Sequence, residues 1–73
     1  MQNIAEDEVI INLKAVALQE PKNAENHCNL AIALAERGDV AGAIDSYRTA
    51  IQIEPNHLAA SSNLGSIYRS MGN

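Results

Sequence analysis

Residues 24–55 read AENHCNLAIALAERGDVAGAIDSYRTAIQIEP, and this stretch decides the fold. Leu30, Ala31 and Leu34 mark one face of a helix before Arg37-Gly38-Asp39, and Ala43, Ile44, Tyr47, Ala50 and Ile51 mark one face of a helix after it. Gly38 ends the first helix, because glycine adopts the left-handed conformation without a steric penalty, and Asp39 caps the second. The unit is a helix, a tight turn and an antiparallel helix. Its neighbourhood repeats it. Pro21 and Pro55, Asn29 and Asn63, Leu30 and Leu64, Gly38 and Gly72, and Ile10 and Ile44 are each 34 residues apart. A fixed period of that size marks a stacked repeat.

The order of residues resembles a tetratricopeptide repeat. That family sets a bulky residue, a leucine-small pair, a tyrosine-like residue, a turn glycine, a small residue, an aromatic, an alanine and a closing proline. Here those places hold His27, Leu30-Ala31, Leu34, Gly38, Ala43, Tyr47, Ala50 and Pro55. His27 replaces the usual tryptophan and Leu34 the usual tyrosine, and both still fill space between paired helices. The resemblance implies an all-α fold, with antiparallel helix-turn-helix units in a right-handed superhelical array. It also implies a non-catalytic role in protein–protein contacts.

Taken in order, residues 1–73 form a single domain of about four helices: half a repeat, a full repeat and half a repeat. Residues 4–20 form a second-type helix, starting near Ile4 with Asn3 and Glu6 as a weak variant of the capping box. Glu6, Asp7 and Glu8 fall in its first turn, where carboxylates favour the positive end of the helix dipole. They read as a solvated acidic start, with an acidic docking surface as the sharper alternative. Val9, Ile10, Leu13, Val16 and Ala17 match Ala43, Ile44, Tyr47, Ala50 and Ile51 one period later. Leu18 and Gln19 stand where Gln52 and Ile53 do, a mismatch that turns Leu18 outward. Pro21 closes the helix, since the residue before a proline is driven out of helical conformation. The complete repeat occupies 24–55, its helices running from Ala24 to Arg37 and from Val40 to Ile53. A first-type helix of an incomplete repeat occupies 57–71, beginning at His57 or Leu58 and ending near Met71, with Gly72 as its stop.

Composition narrows the function. A net charge of −4, with only Lys14, Lys22, Arg37, Arg48 and Arg69 as cations, argues against a nucleic-acid footprint. No apolar run approaches the roughly 20 residues of a membrane span, so no membrane partner is expected. One cysteine, Cys28, excludes an internal disulfide and fits a reducing, cytoplasmic setting. Phe and Trp are absent, which suits close helix packing and does not suit an aromatic ligand cage.

No catalytic, cofactor-binding or metal-binding constellation is legible. His27 and Cys28 are adjacent and point about 100° apart on a helix, so they cannot form a nucleophile–base pair. His27 reads as a packing residue, Cys28 as an inert thiol facing the groove, and His57 as a turn residue with no carboxylate partner. Two histidines and one cysteine without ligand spacing do not make a zinc site.

Two surfaces remain. Asn29 and Asn63 occupy equivalent places on first-type helices, and an asparagine amide both donates to and accepts from a peptide backbone. Asn29-Leu30-Ala31 and Asn63-Leu64-Gly65 resemble the asparagine ladder in repeats of the O-linked N-acetylglucosamine transferase type. That likeness covers repeats only and carries no glycosyltransferase activity. It implies a concave peptide-binding face with Ile32, Glu36, Ser66 and Arg69, joined by Glu25, Cys28, Ala59, Ser62 and Ser70. The second surface follows from the half repeats. Leu64, Ile67, Tyr68 and Met71 on the last helix, with Ile10 and Leu18 on the first, lack their usual cover and point to a homo-oligomer. A head-to-tail contact, a two-fold pairing of last helices and an exchange of helices all satisfy them.

Overall fold

The computed structural model describes residues 7–72. It holds α1 (Glu8–Gln19), α2 (Ala24–Glu36), α3 (Val40–Ile53) and α4 (Leu58–Ser70), with no strand among the described residues. The principal contacts join successive helices, and the α2·α3 hairpin is the most intimate of them.

The turn in that hairpin shows why the sequence folds as it does. Gly38 has φ +87, the left-handed value that favours glycine. Its N–H donates to the Ala35 carbonyl at 3.0 Å, and the Asp39 N–H donates to the Leu34 carbonyl at 2.9 Å. These two bonds close a Schellman motif and satisfy carbonyls that the helix end would leave unpaired. Asp39 then caps α3, its Oδ1 accepting from the Gly42 N–H at 2.9 Å. One residue thus ends α2 and starts α3.

The outer junctions use proline. Glu20 and Glu54, each before a proline, have φ −128 and −135 and end α1 and α3. At the next helix start, the Asn23 side chain caps α2 by accepting from the Asn26 N–H at 3.3 Å. Glu20 Oε1 braces this loop, accepting from the Asn23 and Asn26 amides at 3.0 and 3.1 Å.

α1 begins at Glu8, later than the start near Ile4 that the sequence suggests. The capping pair Asn3 and Glu6 lies outside the described residues. Asp7 takes the capping role, accepting from the Val9 and Ile10 N–H groups at 3.0 and 3.3 Å. It also pairs with Arg37 across the α1–α2 contact, Nε to Oδ2 at 2.6 Å. Asp7 is therefore a cap and a clasp, more than a solvated charge.

The core is built from small residues. Ala24, Cys28, Leu30, Ala31, Leu34, Ala43, Tyr47, Ala50, Ala60 and Leu64 form one buried cluster, with Ile10, Leu13, Ile44, Ile51, Ile53 and Ile67 packed around it. Ala31, Ala43, Ala50 and Ala60 are wholly buried, which lets helix axes approach closely where they cross.

Candidate functional site

His57, Cys28 and His27 are placed differently from what their sequence context suggests. His57 is buried and has a carboxylate partner: its Nε2 lies 2.9 Å from Glu25 Oε1 on α2. Its Nδ1 accepts from the Ala60 N–H at 3.1 Å, capping α4. An accepting Nδ1 leaves the ring proton on Nε2, so the neutral imidazole donates to Glu25. The repeat register contains the signal for the cap, because His57 stands one period after the capping Asn23. Cys28 is buried in the core and does not face a groove; burial first, then the Glu25 charge, pushes its thiol pKa up. A raised thiol makes a poor nucleophile. His27 is half-buried, with Nε2 3.0 Å from the Pro21 carbonyl. It lines an apolar hollow of about 280 Å³ between α1 and α2, with Lys14, Ala17, Leu18, Pro21 and Leu30. Among the described residues no group of three His, Cys, Asp or Glu side chains could hold a metal ion.

The asparagine pair is not symmetrical. Asn29 is exposed on α2. Asn63 on α4 is half-buried. Burial raises the Tyr47 pKa, and hydrogen bonding from Asn63 partly offsets the rise. Around them Ile32 is 37% exposed, and Glu36, Ser66 and Arg69 are exposed. Arg69 Nη2 donates to Ser66 Oγ at 3.2 Å. Glu25 is turned toward His57.

Apolar exposure falls mainly on the outer helices. On α1, Val9 is 49% exposed, Ile11 44%, Val16 39% and Leu18 80%. On α4, Leu58 is 80% exposed and Tyr68 39%, and Met71, which caps its C-terminal end, is 53% exposed. Leu64 belongs in the other group. It is buried in the common core, because α3 already covers that side of α4, so it is not part of an open face. Ile67 and Ile10 are half-buried against the same core. Val9, Val16 and Leu58 join the open faces, although their sequence positions alone give no sign of it.

Antiparallel helices stacked on a common core, with apolar side chains exposed on both outer helices, define a helical-repeat architecture. The TPR repeat family model matches residues 33–72, more than half of the chain. The chain belongs to the tetratricopeptide repeat family, whose repeats mediate protein–protein contacts and are typically non-catalytic. No curated protein and no solved structure matches it. Among the described residues no helix is long and apolar enough to cross a membrane.

Proposed function

We propose that this chain is a protein-interaction module that associates with copies of itself through the open faces of α1 and α4. The observation that carries this reading is the contrast between equivalent places one period apart. Ala43 and Ala50 are wholly buried, while Val9 and Val16 in the same register are 49% and 39% exposed. Contiguous apolar exposure on a small chain marks an interaction surface. Size-exclusion chromatography with light scattering tests it. A molar mass rising with concentration above the 7.8 kDa of one chain is expected. One chain at every concentration overturns it.

A second reading is a peptide-binding adaptor that grips an extended segment through Asn29 and Asn63, in the manner of the transferase-type repeats that the sequence resembles. The exposed side chain of Asn29, with Ile32 and Glu36 also exposed on α2, favours it. With Ser66 and Arg69 close to Asn63 in sequence on α4, the grip is through the peptide backbone with a weak charge preference. Asn29→Ala is the clean test, since Asn29 is exposed while Asn63 is half-buried. Affinity for extended peptides drops with helicity intact if the reading holds, and unchanged affinity removes it. The buried thiol of Cys28 suits a cytoplasmic location for either role.

A further inference from the structure

We infer that His57 is a proton-operated latch at the start of α4: neutral, it caps the helix and ties it to α2, and protonated, it keeps the tie and releases the cap. The latch acts within a single chain and does not depend on the self-association proposed above.

The ring makes both of its bonds in one protonation state only. Nδ1 lies 3.1 Å from the Ala60 nitrogen and accepts its N–H, while Nε2 lies 2.9 Å from Glu25 Oε1 and donates to it. A neutral imidazole with its proton on Nε2 does both. A second proton has one place to go, Nδ1, and there it turns an acceptor into a donor. Two N–H groups then face each other, and a positive ring sits at the positive end of the α4 dipole. The other bond responds in the opposite sense. With the ring charged, the link from Nε2 to Glu25 becomes charge-assisted and tightens. Acid thus moves His57 from serving α4 to gripping α2, and residues 58–60 lose their cap. Leu58, 80% exposed, sits in that turn, so the proton governs how α4 presents its outer side.

The same place one period earlier is built without the latch. Asn23 caps α2 with its amide oxygen, accepting from the Asn26 N–H at 3.3 Å, and the Asn23 backbone carbonyl accepts from that N–H at 3.2 Å. An amide does not titrate, so α2 keeps its cap where α4 loses its own. His27, the other histidine, is bonded in a way that survives protonation. Its Nε2 lies 3.0 Å from the Pro21 carbonyl, an acceptor that takes an N–H from a neutral or a charged ring. Each element around His57 adds its own groups. α2 brings Glu25 and Cys28, a thiol whose pKa burial pushes up. The end of α3 brings Glu54, whose backbone carbonyl accepts from the His57 N–H at 3.0 Å and whose side chain shares a polar hollow with Glu20 and Lys22. α4 has no acidic residue in its first turn, and its cation, Arg69, lies in its last. Glu25 is the one of these side chains bonded to the ring, so the proton that decides the cap is the one on Nδ1.

Nitrogen-15 NMR of the imidazole rings, read together with amide exchange along the chain, tests the latch between about pH 7.5 and about pH 5, the range in which histidines ordinarily gain a proton. At the upper end the His57 ring should show a bare Nδ1 and a protonated Nε2. As Nδ1 gains its proton, the Ala60 amide, corrected for intrinsic exchange, should lose about fivefold in protection, the size of a typical cap contribution. The two changes should share one midpoint, while the Asn26 amide stays level. His57→Asn gives α4 the kind of cap that α2 has, and should keep the protection of Ala60 while removing its dependence on pH. His57→Ser serves the same purpose if that variant loses helicity by circular dichroism. Glu25→Gln should leave the release of the cap in place, because the amide oxygen still accepts from Nε2. A ring that titrates while Ala60 protection stays level overturns the latch. So does a ring that stays neutral down to about pH 5, or an equal loss of Ala60 protection in the variant with a non-titrating cap.

Discussion

The central hairpin and the helices that flank it are written in one register but with different residues. In α2·α3 the places at the crossing hold Ala31, Ala43 and Ala50, all wholly buried, and Tyr47 fills the space beside them. In α1 and α4 the same places hold Val9, Val16 and Gly65, and the aromatic has moved to Tyr68, half on the surface. Position in a repeat therefore does not fix burial. What fixes it is whether another helix lies against that side, and among the described residues the sides that carry these places face each other in α2 and α3.

That difference should be largest in the two tyrosines. Tyr47→Ala empties a buried site and should cost about 3–5 kcal/mol, as large core aromatics do. Tyr68→Ala, on an open face, should cost the single chain less than about 1 kcal/mol. Urea unfolding of the two variants compares them directly, and similar losses would mean that α4 is as closely packed as the hairpin. Next come the paired small residues. Ala50→Val forces extra volume into a filled crossing, at about 1–3 kcal/mol, whereas Val16→Ala should leave the single chain within about 0.5 kcal/mol of the parent. A smaller effect is expected at the cap of α4. His57→Ala loses the bond to Ala60, worth roughly 1 kcal/mol for a cap, together with the link to Glu25. His57→Asn keeps the cap and should recover part of the loss; no recovery would assign the effect to Glu25.

Asp7 gives the smallest of these changes, and pH sets it. Its hydrogen bond with Arg37 holds the Asp7 carboxyl below its ordinary value of 3.8, against some desolvation. A carboxylate whose pKa is depressed by folding adds stability that is present above the ordinary value and lost as pH falls through the folded one. α1 should thus loosen below pH 3.8 while the hairpin holds. Amide exchange along α1, compared between the parent and Asp7→Asn, reads this without interference from α3. Equal protection of α1 in both would remove Asp7 as a clasp.

Much of the fold is legible in the sequence because its punctuation is local. Gly38, Asp39, Pro21 and Pro55 act on the residues beside them, so the helix limits around them follow from short-range sterics. The start of α1 is less legible: Asn3 with Glu6 and Asp7 with its own next turn are competing caps of the same type. Long-range partners are harder still. The Asp7–Arg37 pair has no counterpart one period later, where Ala41 and Met71 stand, so the repeat gives no hint of it. For the candidate surfaces, the sequence identifies α4 as short of a partner but includes Leu64, whose cover comes from α3. It also misses Val9 and Val16, because apolar periodicity marks a face without saying what lies against it.

The sequential contacts of the four helices also govern how fast the chain acquires its structure and where it gives way. Each helix meets chiefly the one before or after it, so few contacts require distant parts of the chain to find each other. Low contact order of this kind places folding in the microsecond-to-millisecond range for helical domains. It also lets either outer helix open while the central pair stays formed, as in a one-dimensional stack. Amides of α2 and α3 should therefore exchange slowest, and the thermal transition should broaden from the outside inward.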